Sequence, residues 1–218
     1  MKKILLVIMI SMLTFVGKSY AEMSYGFSLG ITDIRASGTE TEGGENNSKS
    51  LNTIAAIPSI FVEYNFNDTL SLGLDYIPMK ADVSDKTQTR NDTETSVTGN
   101  EATTSTARVQ SVQAELENHV TLYSNYMVSD AVYVKAGVAH VTLKTIDSLA
   151  TGSKYGNVDI YGGVIGLGAK SGGSRVELVY TDYEDISLTS SVARTGVTGN
   201  NKVAAELDTL AFKYSYAF

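Results

Sequence analysis

The 218 residues carry 17 Lys+Arg against 24 Asp+Glu, with 43% hydrophobic and 19% charged residues and no cysteine. So apolar a chain is not disordered, the lack of thiols excludes a disulfide scaffold, a thiolate metal site and a Cys nucleophile, and a net charge of −7 argues against nucleic acid as a partner. The length fits one domain at ~100–200 residues per domain.

In chain order, the basic start Met1-Lys2-Lys3 leads into the apolar run Ile4 to Val16 and then Ser19-Tyr20-Ala21, with small residues at −3 and −1 of a cut after Ala21. This reads as a secretory signal peptide over 1–21, leaving 22–218 as the exported domain. The apolar run is shorter than the ~20 residues that a spanning helix needs. Beyond it the pattern has period two, which puts every second side chain on one face of a strand. Tyr25, Phe27, Leu29 and Ile31 alternate with small or polar residues, as do Ile60, Val62, Tyr64 and Phe66, then Leu70, Leu72, Leu74 and Tyr76. The last stretch, Leu210, Phe212, Tyr214, Tyr216 and Phe218, is the clearest.

Turn-forming clusters at Asn67-Asp68, Ser129-Asp130 and 171–174 are short connectors. Longer polar stretches at 39–50, 84–108, 149–155 and 192–201 alternate with them. About eight strands follow, near 24–38, 51–66, 69–83, 109–127, 131–147, 156–170, 175–190 and 202–218. Short turns at one end and long loops at the other are the pattern of a transmembrane β-barrel. Register supports it. Setting Phe66 opposite Leu70 puts Tyr64, Val62 and Ile60 against Leu72, Leu74 and Tyr76, all apolar, and setting Lys170 opposite Arg175 puts Leu167 against Leu178 while Gly168 meets Glu177.

The apolar face would meet a core in a soluble barrel or sandwich and lipid in a membrane barrel. Long strands, export, and aromatics near the short turns (Tyr25, Phe27, Tyr64, Phe66, Tyr126, Tyr216, Phe218) favour lipid. The expected fold is therefore all-β: an eight-stranded antiparallel transmembrane β-barrel, apolar face to lipid and polar face to lumen. The terminal Phe218 with Tyr216, Tyr214 and Phe212 resembles the barrel-assembly signal of the small outer-membrane barrels of the OmpA transmembrane domain, OmpX and Opa superfamily. Lys213 stands where such signals often carry Gly. The resemblance implies an outer-membrane location and the barrel assembly machinery as a partner; with no residues after the last strand, the peptidoglycan-binding domain of full-length OmpA proteins is not expected.

With even-numbered residues facing out on 109–127 and 131–147, the lumen receives Glu115, Glu117, His119 and Lys135. Neighbouring strands add Glu63, Asp75, Arg175, Glu177 and Lys213. Interior charges of both signs should pair into a network. That network is an ion path or, on the reading preferred here, a plug, since eight strands leave an interior that side chains just fill. His119 is placed near Ala139 and His140 near Asn118, on opposite faces, so they cannot share a metal or a proton relay. No nucleophile–base–orienter set accompanies them, and the strand glycines 162–168 lack the Lys-Ser/Thr of a phosphate loop. No enzyme activity, metal or cofactor is expected. The Thr-rich stretch 84–108 is read as a mobile exterior loop. The sequence thus points to an envelope barrel with a structural or adhesin-like role, against outer-membrane lipids and lipopolysaccharide and an external ligand or host surface at the four loops. A narrow pore and a lipid-modifying enzyme are the alternatives.

Overall fold

A computed structural model describes residues 22–42, 45–83, 88–98, 101–148, 153–191 and 199–218. The signal-peptide reading of 1–21 lies outside them. The strands are β1 (Glu22–Glu42), β2 (Glu45–Asn65), β3 (Leu70–Ile77), β4 (Ala81–Asp82), β5 (Gln88–Thr98) and β6 (Glu101–Met127). After them come β7 (Val132–Ser148), β8 (Asn157–Ser171), β9 (Ser174–Tyr183), β10 (Ile186–Thr189) and β11 (Lys202–Ala217). Antiparallel neighbours run β1-β2-β3-β6-β7-β8-β9-β11, and β11 returns to β1 from Gly26–Ala217 to Thr41–Lys202. Eight strands therefore close a ring, with β4 and β5 continuing the line of β3, and β10 that of β9.

The short turns form for local reasons. The Asn67 side chain accepts the Thr69 and Leu70 N–H groups, both at 2.8 Å, and Ser129 Oγ accepts that of Val132 at 3.1 Å. Gly172, at φ 57°, turns the two-residue link between Ser171 and Ser174. Both predicted hairpin registers hold: Tyr64 faces Leu72, and Leu167 faces Leu178.

Around the turn end, large apolar side chains face outward. Ile31, Leu178 and Phe212 are 53%, 50% and 57% exposed. Tyr25, Phe27, Tyr216 and Phe218 form an aromatic girdle below them, with centroid spacings from 5.1 to 6.4 Å. Above the belt, outward positions become charged: Arg35 binds Asp33 at 2.8 Å and lies 3.7 Å from Asp208, and His140 lies 3.7 Å from Asp159. A closed sheet with an apolar belt between an aromatic girdle and a charged rim is a lipid-spanning surface. This is a membrane-spanning β-barrel.

The expected polar lumen holds only in this lower half. Higher up the interior is apolar, packed with Ile34, Leu116, Val141, Leu143, Ile160, Ile186, Leu188 and Leu207. Here water replaces lipid outside, so the apolar residues turn inward, as in a β-sandwich. The wall divides accordingly. Among the described residues, the β2–β3 ladder ends at Ile60–Tyr76, and β4 and β5 pair only with β6. The β8–β9 ladder ends at Gly162–Tyr183, and β10 pairs only with β11. Above the belt, the leaf β2-β1-β11-β10 thus packs on the leaf β4/β5-β6-β7-β8.

The first break has a covalent cause. Phe66 donates to the Leu70 carbonyl at 2.9 Å, and hydrogen-bonded pairs recur every second residue along an antiparallel ladder. The register that pairs Ile60 with Tyr76 brings Pro58 opposite Pro78 two places on. These are the chain's 2 prolines. Neither has an N–H to give where both should donate, so the ladder stops. The expected strand 69–83 is consequently interrupted, as is 175–190, at 184–185.

Two expected loops are instead strands. The β1–β2 ladder continues through 39–50 to Glu42–Glu45, and most of 84–108 is a β5–β6 hairpin. A two-sided polar hairpin needs no apolar face to form its ladder, and the β-branched threonines of that stretch suit it. In the other two, the described ends are docked: Tyr155 Oη donates to Glu40 at 2.8 Å, and the Ser190 N–H to the Asn201 carbonyl at 2.8 Å.

A further irregularity lies in β6, where the pairing with β7 shifts between Glu117–Thr142 and Val120–His140. Asn118 adopts φ 55°, a left-handed conformation that Asn tolerates better than most residues. The bulge exchanges the faces of β6: odd-numbered Thr121, Tyr123 and Asn125 are buried below it, even-numbered Leu116 above it. His140 therefore pairs with Val120 and Ala139 with Thr121, in place of the expected Asn118 and His119.

Large inner rings lie across from glycines at Gly26–Phe61, Gly73–Tyr123, Gly168–Tyr133 and Gly162–Tyr183. A Cβ at Gly168 would enter the Tyr133 ring, whereas one at outward Gly163 meets nothing within 4 Å. Gly168→Val should destabilise the barrel by about 1–3 kcal/mol through overpacking, with Gly163→Val close to neutral, measured by equilibrium unfolding in vesicles. In the same assay Asn118→Val should cost about 1–2 kcal/mol for the left-handed backbone, while Asn118→Gly is tolerated.

Candidate functional site

The lower lumen is filled by ion pairs anchored on five strands. Glu63 of β2, 2% exposed, accepts on one oxygen from Arg175 Nη1 at 2.6 Å, Tyr123 Oη at 2.9 Å and Asn125 Nδ2 at 2.9 Å. Glu177 accepts from Lys135 Nζ at 2.5 Å and Tyr133 Oη at 2.7 Å. Asp75 accepts from Lys213 Nζ at 2.8 Å and from Ser59 Oγ at 2.9 Å. The cations also use the rings: Lys135 Nζ is 4.1 Å from the Tyr123 centroid, and the Arg175 guanidinium 5.2 Å from that of Phe61.

The three carboxylates Glu63, Asp75 and Glu177 thus neutralise the three cations Lys135, Arg175 and Lys213. Each charge also holds hydrogen bonds to neutral groups or a ring, which a buried pair needs to offset its desolvation. The layer crosses the lumen toward the short-turn end.

His119 stands above it, its Nε2 2.8 Å from Tyr183 Oη. A cavity of about 80 Å³ opens here, between the ion pairs and the apolar core, lined by His119, Asp75, Lys213, Thr181, Ile57 and Met79 among others. By the volume one water needs, it holds roughly five.

Glu63, Asp75, His119, Lys135, Arg175, Glu177 and Lys213 are therefore brought together in the lumen, as their parity implies. Glu115 and Glu117 are not. The Asn118 bulge turns them outward, where Lys80 Nζ lies 3.3 Å from Glu115 and 2.5 Å from Glu117, and Lys144 Nζ 3.1 Å from Glu117. His140 is outside too, its ring centroid 5.1 Å from that of Tyr161. Sequence reasoning missed Tyr123, Tyr133 and Asn125, whose signal was available: each shares the lumen parity of β6 or β7, and the two tyrosines face glycines across the ladder. Phe212, Tyr214, Tyr216 and Phe218 all point outward in the lower belt, and the Phe218 N–H is held by the Tyr25 carbonyl at 2.8 Å.

No protein-family model matches the sequence, and no curated protein matches it. Among solved structures it is similar to the outer membrane protein OprG of Pseudomonas aeruginosa, at 10% identity over 88% of this chain and 96% of that one, with a TM-score of 0.49. It is also similar to the outer membrane protein AlkL, at 10% identity over 93% of each chain and a TM-score of 0.48. The outer membrane protease OmpT of Escherichia coli aligns at 12% identity over 90% of this chain and 96% of that one, with a TM-score of 0.44. These likenesses concern barrel architecture alone.

Glu63→Ala strands Arg175 without its counter-charge and should cost about 3–5 kcal/mol in equilibrium unfolding. Glu115→Ala, at the exposed rim, should leave the unfolding midpoint essentially unchanged, which separates the two groups of acids.

Proposed function

We propose that this barrel is a non-conducting, non-catalytic scaffold that holds tall β-hairpins at the cell surface for adhesin-like contact. One observation carries the reading: the interior is filled twice, by the ion-pair layer and by the apolar core, while the β1–β2 and β5–β6 ladders continue past the charged rim. A filled interior suits support better than passage, and surface contacts are ordinarily presented on elements beyond a rigid scaffold. The placing of His119 against Tyr183 inside and His140 beside Tyr161 outside supports a role without catalysis.

The same reading gives the rim and the C-terminal strand their partners. Arg35, Lys80 and Lys144 lie where the apolar belt ends, at the level of lipopolysaccharide phosphates, which would compete there with their partners Asp33, Asp208, Glu115 and Glu117. Phe212, Tyr214, Tyr216 and Phe218, arrayed on one face of β11, would be presented to the barrel assembly machinery before β11 closes on β1. The external ligand is met at 39–50 and 84–108, whose described residues project as strands, and at 149–155 and 192–201.

In planar bilayers the purified protein should give no discrete conductance steps; reproducible steps would favour the narrow pore instead. Replacing 84–108 by a short Asn-Gly turn should reduce adhesion of expressing cells to immobilised extracellular-matrix protein by about tenfold, since many weak copies act together. Unchanged adhesion would remove the surface role and leave a purely structural one.

A further inference from the structure

The lumen cavity is bounded below by ion pairs and above by the apolar core, but its side is different. Ile57, Met79 and Ala81 line it and also line a groove of about 280 Å³ outside the wall, which runs along 53–58 and 79–82. The groove lies where Pro58 and Pro78 end the β2–β3 ladder, and above that point Thr53 Oγ1 donates across it to the Val83 carbonyl at 3.0 Å. Its outer lip carries two large exposed apolar side chains, Ile54 at 73% and Met79 at 56%, with Lys80 and Asp82 lining the groove on the rim side. Ile54 pairs with Asp33, where the apolar belt gives way to the charged rim. The groove, which shares Ile57, Met79 and Ala81 with the cavity, therefore opens at the outer edge of the hydrocarbon.

An open sheet edge is not tolerated against lipid, whereas irregular backbone beside a cavity is. Inside, Nδ1 of His119 is buried and has no hydrogen-bond partner among the described residues. Such a group carries a desolvation cost until a water or a ligand atom from the cavity meets it. Nε2 is already engaged with Tyr183, so Nδ1 is a donor in one tautomer and an acceptor in the other. A hydroxyl serves either. A carboxylate or ammonium would add an unmatched charge beside pairs that are already neutral.

We infer that this side passage and cavity bind an uncharged single-chain aliphatic alcohol from the outer leaflet, its hydroxyl on His119 Nδ1 and its chain lying across Ile57, Met79 and Ala81 into the groove. The dimensions agree: the inner space takes a few heavy atoms and the groove takes the rest. The inference is independent of the adhesin-like role, which concerns other parts of the chain.

The test uses the folded barrel in saturated phosphatidylcholine nanodiscs, free of detergent, with a 1-octanol analogue bearing a terminal diazirine. After irradiation, label should concentrate on Ile54, Ile57, Met79 and Ala81 over lipid-facing Leu72, Leu178 and Phe212. Unlabelled 1-octanol should compete about tenfold better than octane or octanoate, the worth of one well-placed hydrogen bond. His119→Phe should erase the advantage of octanol over octane. Ala81→Trp should close the passage and abolish the concentrated label, with unheated gel mobility reporting the fold. If Ala81→Trp does not fold, the His119→Phe comparison decides alone. Label spread evenly over the belt, or octanol and octane competing equally in the unaltered protein, would overturn the inference.

Discussion

The medium outside this barrel changes along its axis, and the rest of the structure follows from that change. Against lipid, the sheet must close on itself and turn its apolar side chains out, because hydrocarbon offers no partner to backbone or charge. Against water, apolar side chains gain by leaving the surface. The chain satisfies both with the same strands. On β1 the outward residues run Phe27, Leu29, Ile31 and then Asp33, Arg35, while the inward ones run Ser28, Thr32 and then Ile34. The amphipathic pattern is inverted within one strand, so the molecule is a lipid-facing ring below and a small sandwich above.

Each half has its own way of filling the middle. Below, the inner face is polar and would be costly to bury unless every charge is answered. Pairing Glu63, Asp75 and Glu177 with Arg175, Lys213 and Lys135 answers them, and the ring–glycine pairs make room for the tyrosines that complete the hydrogen bonding. Above, aliphatic packing does the same work without hydrogen bonds, through Leu116, Val141, Leu143 and Ile160 from one leaf and Ile34, Ile186, Leu188 and Leu207 from the other. The cavity lies where the two kinds of filling meet, since neither ion pairs nor aliphatic side chains can extend into the other's territory.

The ring, its strand order, two hairpin registers and most lumen charges were legible in the sequence because alternation is unbroken in the lower half. The inversion was not, for two different reasons. On β1 the apolar parity switches at Asp33, which reads as a strand approaching its end rather than one leaving the membrane. On β6 the parity does not switch at all: Leu116, Val120 and Leu122 are all even and apolar, because the bulge at Asn118 exchanges the faces just where the surroundings exchange polarity. The two changes cancel, so unbroken parity points Glu115 and Glu117 to the lumen while the structure turns them outward. The Thr-rich 84–108 reads as a loose loop because it is polar, although a backbone ladder requires only extended residues and a partner. The proline pair was visible as two letters, but its meaning depended on the register that sets them opposite each other.

The two interruptions in the wall also set how firmness is distributed. In the lower ring no strand can leave without breaking ladders on both its flanks, so thermal excursions there approach the cost of global unfolding. The crown differs: its two leaves could part along both gaps at the expense of side-chain packing and a few isolated hydrogen bonds, with every ladder intact. Amide exchange should then be slow throughout both leaves even while the crown breathes.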